Sequence, residues 1–144
     1  MNVTAHIVVP DAAAAAAWYV KAFGASERSR IPLPGGKVLS VELVLGTSVL
    51  HLGSEFPAFG IVSPLTLGGT ATVLQIETAD AAQLWARALG AQATVRHALA
   101  EQFWGELHGQ LGDPFGHRWN IAQKLRDVPH DDLVRAAAQA FGAG

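Results

Sequence analysis

The sequence predicts an α+β fold: two tandem βαβββ modules, a pair of half-barrels joined into one unit, followed by a C-terminal helix. Three observations carry this prediction. The order strand, helix, strand, strand, strand is read twice from the hydrophobic periodicity. The two readings also superpose as sequences. Laying Asp11 on Asp80 puts Val9-Pro10-Asp11-Ala12-Ala13 on Thr78-Ala79-Asp80-Ala81-Ala82 and His51 on Asn120. With a slightly longer first helix, Tyr19-Val20-Lys21-Ala22-Phe23-Gly24-Ala25 falls on Trp85-Ala86-Arg87-Ala88-Leu89-Gly90-Ala91. Finally, Asp113-Pro114-Phe115-Gly116 is turn chemistry, and residues 117–123 after it alternate as a strand does. Two copies are too few for a solenoid, in which neighbouring repeats stack on one continuous core.

Residues 3–9 are β-branched enough for a strand, and Pro10-Asp11 ends it, with Asp11 as N-cap of a helix that runs through a stretch of alanines to Phe23. Gly24 suits the left-handed C-cap. A strand over 27–33 ends at the turn Pro34-Gly35-Gly36, and 37–45 and 48–52 form a hairpin about Gly46-Thr47. Residues 53–69 carry Pro57, Pro64 and several glycines without a clean period, as a connection does. The pattern then restarts, with a strand over 72–78, a helix over 80–89 and strands near 92–97, 104–111 and 117–123. The resulting division is one domain over 1–124, with module one 1–53, linker 54–69 and module two 70–124, and then a C-terminal amphipathic helix and tail over 125–144. In that last segment Pro129, Asp131 and Asp132 suit a helix start, and Leu133, Ala137, Ala140 and Phe141 share one stripe. Such a stripe has to be covered, by its own domain or by a second chain.

The composition narrows the function. The chain has 144 residues, half of them hydrophobic, and a formal net charge of -2. That balance gives no basic footprint for nucleic acid or an anionic membrane. There is no cysteine, which excludes disulfide and thiolate chemistry. No charged leader precedes an apolar run, and no run reaches the ~18 residues of a membrane span, so a cytoplasmic protein is expected. Phosphate loops, nucleophile elbows and paired-cysteine sites are absent from the sequence.

Strand alternation separates two faces. Ile7, Val9, Leu43, Leu50, Leu52, Leu74, Ile76, Trp119 and Ile121 share an oily face suited to packing on helices. Thr4, His6, Glu42, His51, Gln75, Glu77, Trp104, Glu106, His108, Gln110, Arg118 and Asn120 fall on the opposite, mixed face. A mixed face is what a ligand cavity needs, and also what an antiparallel sheet shows to water. His6 and His51 fit three roles: ligands of an unusual metal site with Glu42 or Glu106, a general base near neutral pH, or hydrogen-bonding groups of a pocket. Trp104 fits a stacking platform or a barrel core.

Four local signatures in order resemble one family: Trp18-Tyr19-Val20-Lys21-Ala22-Phe23-Gly24-Ala25, Glu55-Phe56-Pro57, Gln102-Phe103-Trp104-Gly105 and Asp113 through Trp119. With the duplicated βαβββ order, residues 3–124 resemble the vicinal oxygen chelate superfamily of glyoxalases, bleomycin-resistance proteins and extradiol dioxygenases, most closely its PhnB-like branch. The resemblance implies curved, mixed sheets around a cavity, helices outside, and a homodimer.

It also implies metal-ligand positions at Thr4, His51, Val73 and Asn120. Val73 cannot ligate, and Thr4 and Asn120 are poor partners for a divalent ion that prefers imidazole and carboxylate. The expectation is therefore a protein with no cofactor that holds a hydrophobic or aromatic organic molecule, as drug-sequestering members do. Its ligand-binding set is His6, Glu42, His51, Gln75, Trp104, Glu106, His108 and Asn120. The alternative is a metal-dependent lyase, isomerase or dioxygenase with a displaced ligand set.

Overall fold

In a computed structural model that describes residues 1–142, the element order is β1 (Ala5–Val9), α1 (Ala12–Phe23), β2 (Ser26–Pro32), β3 (Val38–Leu45), β4 (Ser48–Ser54), α2 (Pro64–Leu67), β5 (Val73–Glu77), α3 (Ala81–Gly90), β6 (Thr94–Glu101), β7 (Glu106–Gly112), β8 (Arg118–Lys124) and α4 (His130–Phe141). The two βαβββ modules form two four-stranded sheets ordered β1-β4-β3-β2 and β5-β8-β7-β6. In each, the first strand runs parallel to the fourth and the rest are antiparallel. The sheets are mixed, as expected, and neither closes into a barrel. No helix among the described residues is long and apolar enough to cross a membrane.

Local chemistry sets the helices. Asp11 caps α1 by accepting from the Ala13 and Ala14 amides at 2.9 and 3.3 Å, and Gly24 ends it at φ 72°. Ala12, Ala15, Ala16 and Ala22 are buried with Tyr19 and Phe23, so the alanine run is a small-residue face that lets α1 lie close on β3, β4 and α3. Asp80 caps α3 in the same way, through the Gln83 amide.

The two modules are latched together by groups that cross between them. Arg87 of α3 donates to the Lys21 and Val20 carbonyls at the end of α1, and the Trp18 indole donates to the Ala91 carbonyl at 2.8 Å. The centre of the latch is Asp113. Its Oδ2 accepts from the Tyr19 hydroxyl at 2.5 Å and the Trp119 indole at 2.9 Å, and its Oδ1 accepts from the Phe115 and His117 amides. His117 then meets the Val8 carbonyl of β1 at 2.7 Å. Around these bonds Trp18, Tyr19, Phe23, Phe115 and Trp119 pack edge to face or tilted, except that Tyr19 and Phe23 are stacked. From its place beside the Asp113 turn His117 reads as a loop or surface group, although alternation puts it on the face of Trp119 and Ile121. In the structure it is buried, because the Asp113 turn folds back over β1.

Tyr19, the chain's one tyrosine, is fully buried. Burial first, and the Asp113 carboxylate second, push its hydroxyl well above the ordinary tyrosine range. A raised folded pKa means that the stabilisation is complete below the unfolded value of about 10 and is lost as pH rises toward the folded one. Stability should hold up to about pH 10 and then fall by as much as about 1.4 kcal/mol per pH unit. Urea titrations between pH 8 and 11 check this, and Tyr19→Phe should flatten that alkaline slope.

Candidate functional site

The inner faces of the two sheets carry polar rows in equivalent positions. In the first sheet His6 lies opposite His51, and His51 opposite Glu42. The two imidazole rings sit 5.8 Å apart, and His51 Nε2 lies 3.4 Å from Glu42 Oε1. His6 reaches this place because Gly53, the register partner of Val8 two residues along the strand, leaves room for its ring. A Cβ there would come within 3.0 Å of His6 Nε2.

Arg28 completes the row. A register shift between Glu27 and Ser29 turns it inward, where Nε and Nη2 donate to Glu42 Oε2 at 2.9 and 2.8 Å. Bulges re-aim side chains in this way, and sequence alternation cannot place such a residue. The Arg28 bonds hold the Glu42 carboxyl below its ordinary range, so it stays ionised beside His51 into mildly acidic solution.

The equivalent row of the second sheet is neutral. Gln75 lies opposite Asn120, and Asn120 opposite Gln110. Gln110 donates to Asn120 Oδ1 at 3.0 Å, and Asn120 donates to Gln75 Oε1 at 3.4 Å. Rotating all three amides by half a turn preserves both bonds with their direction reversed, because each amide offers donors at one end and an acceptor at the other.

A third group stands at the start of β7. The Trp104 indole donates to Glu106 Oε1 at 2.5 Å and meets the His108 ring edge to face at 5.2 Å. Sequence periodicity puts Trp104 in the strand, but it occupies the preceding turn, because β7 begins only at Glu106. His97 lies within β6, opposite Gln110, and not at a strand end.

The eight sequence-predicted residues thus fall into three clusters: His6, His51 and Glu42; Gln75 and Asn120; Trp104, Glu106 and His108. Arg28 and Gln110 extend the first two. A hollow of about 950 Å³ opens elsewhere, between the start of β1, the Gly46-Thr47 turn and β5. Among the eight, only Gln75 lines it. Glu106 borders a smaller hollow of about 350 Å³ with Glu77 and Lys124.

The implied metal positions do not fit an ion. His51 is turned to Glu42, the Asn120 oxygen already accepts from Gln110, Val73 has no donor atom, and Thr4 precedes β1. Among the described residues no three His, Cys, Asp or Glu side chains gather closely enough to hold a metal.

The comparisons with known proteins agree with this architecture. An uncharacterized protein of Mycobacterium bovis is 39% identical over 142 residues, covering 96% of this chain and 93% of its own length. TioX from Micromonospora sp. ML1 superposes with a TM-score of 0.71 at 21% identity, over 87% of this chain and 99% of that one. A bleomycin-binding protein complexed with bleomycin superposes with a TM-score of 0.62 at 20% identity, over 86% and 98%. These two likenesses concern the fold. The family model of the Glyoxalase/Bleomycin resistance protein/Dioxygenase superfamily matches residues 2–121, and this chain belongs to that superfamily.

Proposed function

We propose that this protein is a cytoplasmic homodimer that binds a small planar aromatic or hydrophobic molecule on the inner faces of its sheets, with no resident metal and no chemistry required. The observation that carries the reading is the pair of polar rows in equivalent strands. One row presents imidazole and carboxylate, the other only amides, and both stand on sheets whose opposite faces are buried in core. Few polar groups on an otherwise apolar scaffold orient a ligand rather than activate one. The Trp104 ring offers a stacking surface at the edge of the same face. The fold-level likeness to a bleomycin-binding protein supports sequestration of a drug-like molecule.

Bleomycin is the first probe, followed by planar aromatic antibiotics, with binding read as thermal stabilisation. A ligand at a hundred times its dissociation constant stabilises by about 2.7 kcal/mol. His51→Ala, Asn120→Ala and Trp104→Ala should each weaken a hit at least tenfold while unliganded folding survives. A hit that stabilises all three variants as well as the wild type would refute the inner face as the site. One equivalent of tightly bound metal, lost on His51→Ala, would favour the metal-dependent alternative.

A further inference from the structure

The 950 Å³ hollow and helix α4 each lack a partner, and the internal repeat relates them. In the second module the turn between the last two strands is Asp113 to His117, and α2 covers it: a Cβ on Gly116 would meet Pro64 Cβ at 2.8 Å and the Leu65 amide at 3.3 Å. The equivalent turn of the other half is Gly46-Thr47, and there the hollow stays open, walled by Leu45, Val49, Leu74 and Ile76. The segment equivalent to α2 follows β8 as α2 follows β4. The superposition that places His51 on Asn120 places Pro64–Leu67 on Leu133–Ala136, inside α4. Yet no residue of α4 is buried, and Phe141 is 78% exposed.

The exit path of the chain decides whose hollow α4 reaches. After β8 the Leu125 and Arg126 amides donate to the Gly105 carbonyl, and Val128 lies against Gly105, so the chain leaves across the start of β7. In the sheet order β5-β8-β7-β6 that is the side away from β5, where the hollow opens. The linker after β4 is brought back by a small hairpin pairing Phe56 with Ile61 before α2 begins at Pro64. Between Lys124 and His130 there is no room for such a return.

We propose that α4 docks in trans, its Leu133–Ala137–Phe141 stripe covering the hollow at the Gly46-Thr47 turn of a second copy. The contact is reciprocal, as a two-fold dimer requires. A helix of this length is about 18 Å long and about 10 Å across. Two exchanged helices and the surface beneath them bury on the order of 1,000 Å², where specific interfaces begin. The inference rests on the dimer proposed above and names its contact.

Because the chain has no cysteine, single cysteines test the contact in the full-length protein. Thr47→Cys chains mixed with Ala137→Cys chains should give, under mild oxidation, a disulfide heterodimer at least tenfold more abundant than when Ser29→Cys replaces Thr47→Cys. Leu133→Glu combined with Phe141→Glu should raise the dimer dissociation constant at least tenfold in sedimentation. A double Thr47→Cys, Ala137→Cys chain that closes on itself as a monomer would overturn docking in trans. Unchanged dimerisation of the glutamate variant would overturn the α4 contact and leave the dimer standing. A wild type that stays monomeric at tens of micromolar would remove both.

Discussion

Replacing Asp113 by alanine should cost about 3–5 kcal/mol, since several donors lose their acceptor at about 1–3 kcal/mol for each one left buried and unsatisfied. The carboxylate satisfies four donors, the Tyr19 hydroxyl, the Trp119 indole and two amides of its own turn, and its residue is only 8% exposed. Alanine leaves all four without that acceptor, the Tyr19 hydroxyl and the Trp119 indole among them buried in the core. Tyr19→Phe removes one donor together with its need and should cost about 1–2 kcal/mol. Urea unfolding of the two variants checks the ordering. Equal small losses would mean that the aromatic packing, and not the carboxylate, holds the modules together.

Gly105→Ala should be the second large effect, about 2–4 kcal/mol from left-handed strain and overpacking together. Gly105 sits at φ 89°, and a Cβ there would fall 2.5 Å from the Arg126 carbonyl oxygen, a backbone atom that cannot rotate aside. Gly105 also ties the two proposed surfaces together. Its amide closes the turn that holds Trp104, and its carbonyl receives the chain leaving β8. Thermal unfolding measures the loss. The same variant should weaken aromatic ligands and dimerisation together, since both the Trp104 platform and the departure angle toward α4 pass through this residue.

The fold was legible because it repeats. Two superposable copies of one strand-helix pattern, each with an aspartate cap, leave few architectures open, and the oily face of β1, β3, β4 and β8 is where alternation puts it. Its polar face was legible residue by residue wherever a strand is regular, as for His6, His51, Gln75 and Asn120. Alternation fails where the backbone departs from the pleat. Arg28 reaches Glu42 through a bulge, and Trp104 belongs to a turn. The hollow beside Gly46-Thr47 leaves no trace in periodicity, because it is a space between two strand edges rather than a property of either.

The latch between modules also bears on how the protein comes off the ribosome. Tyr19 and Asp113 are separated by 94 positions. At roughly 5–20 residues per second of synthesis, the first module emerges on the order of 5–20 s before its tyrosine can meet the carboxylate. During that interval helix α1 has its alanine face against β3 and β4, but the Tyr19 hydroxyl and the Val8 carbonyl await partners that have not been translated. The contacts that latch the modules thus form only once the last strand is out, and slow codons placed between the modules would lengthen that wait rather than help folding.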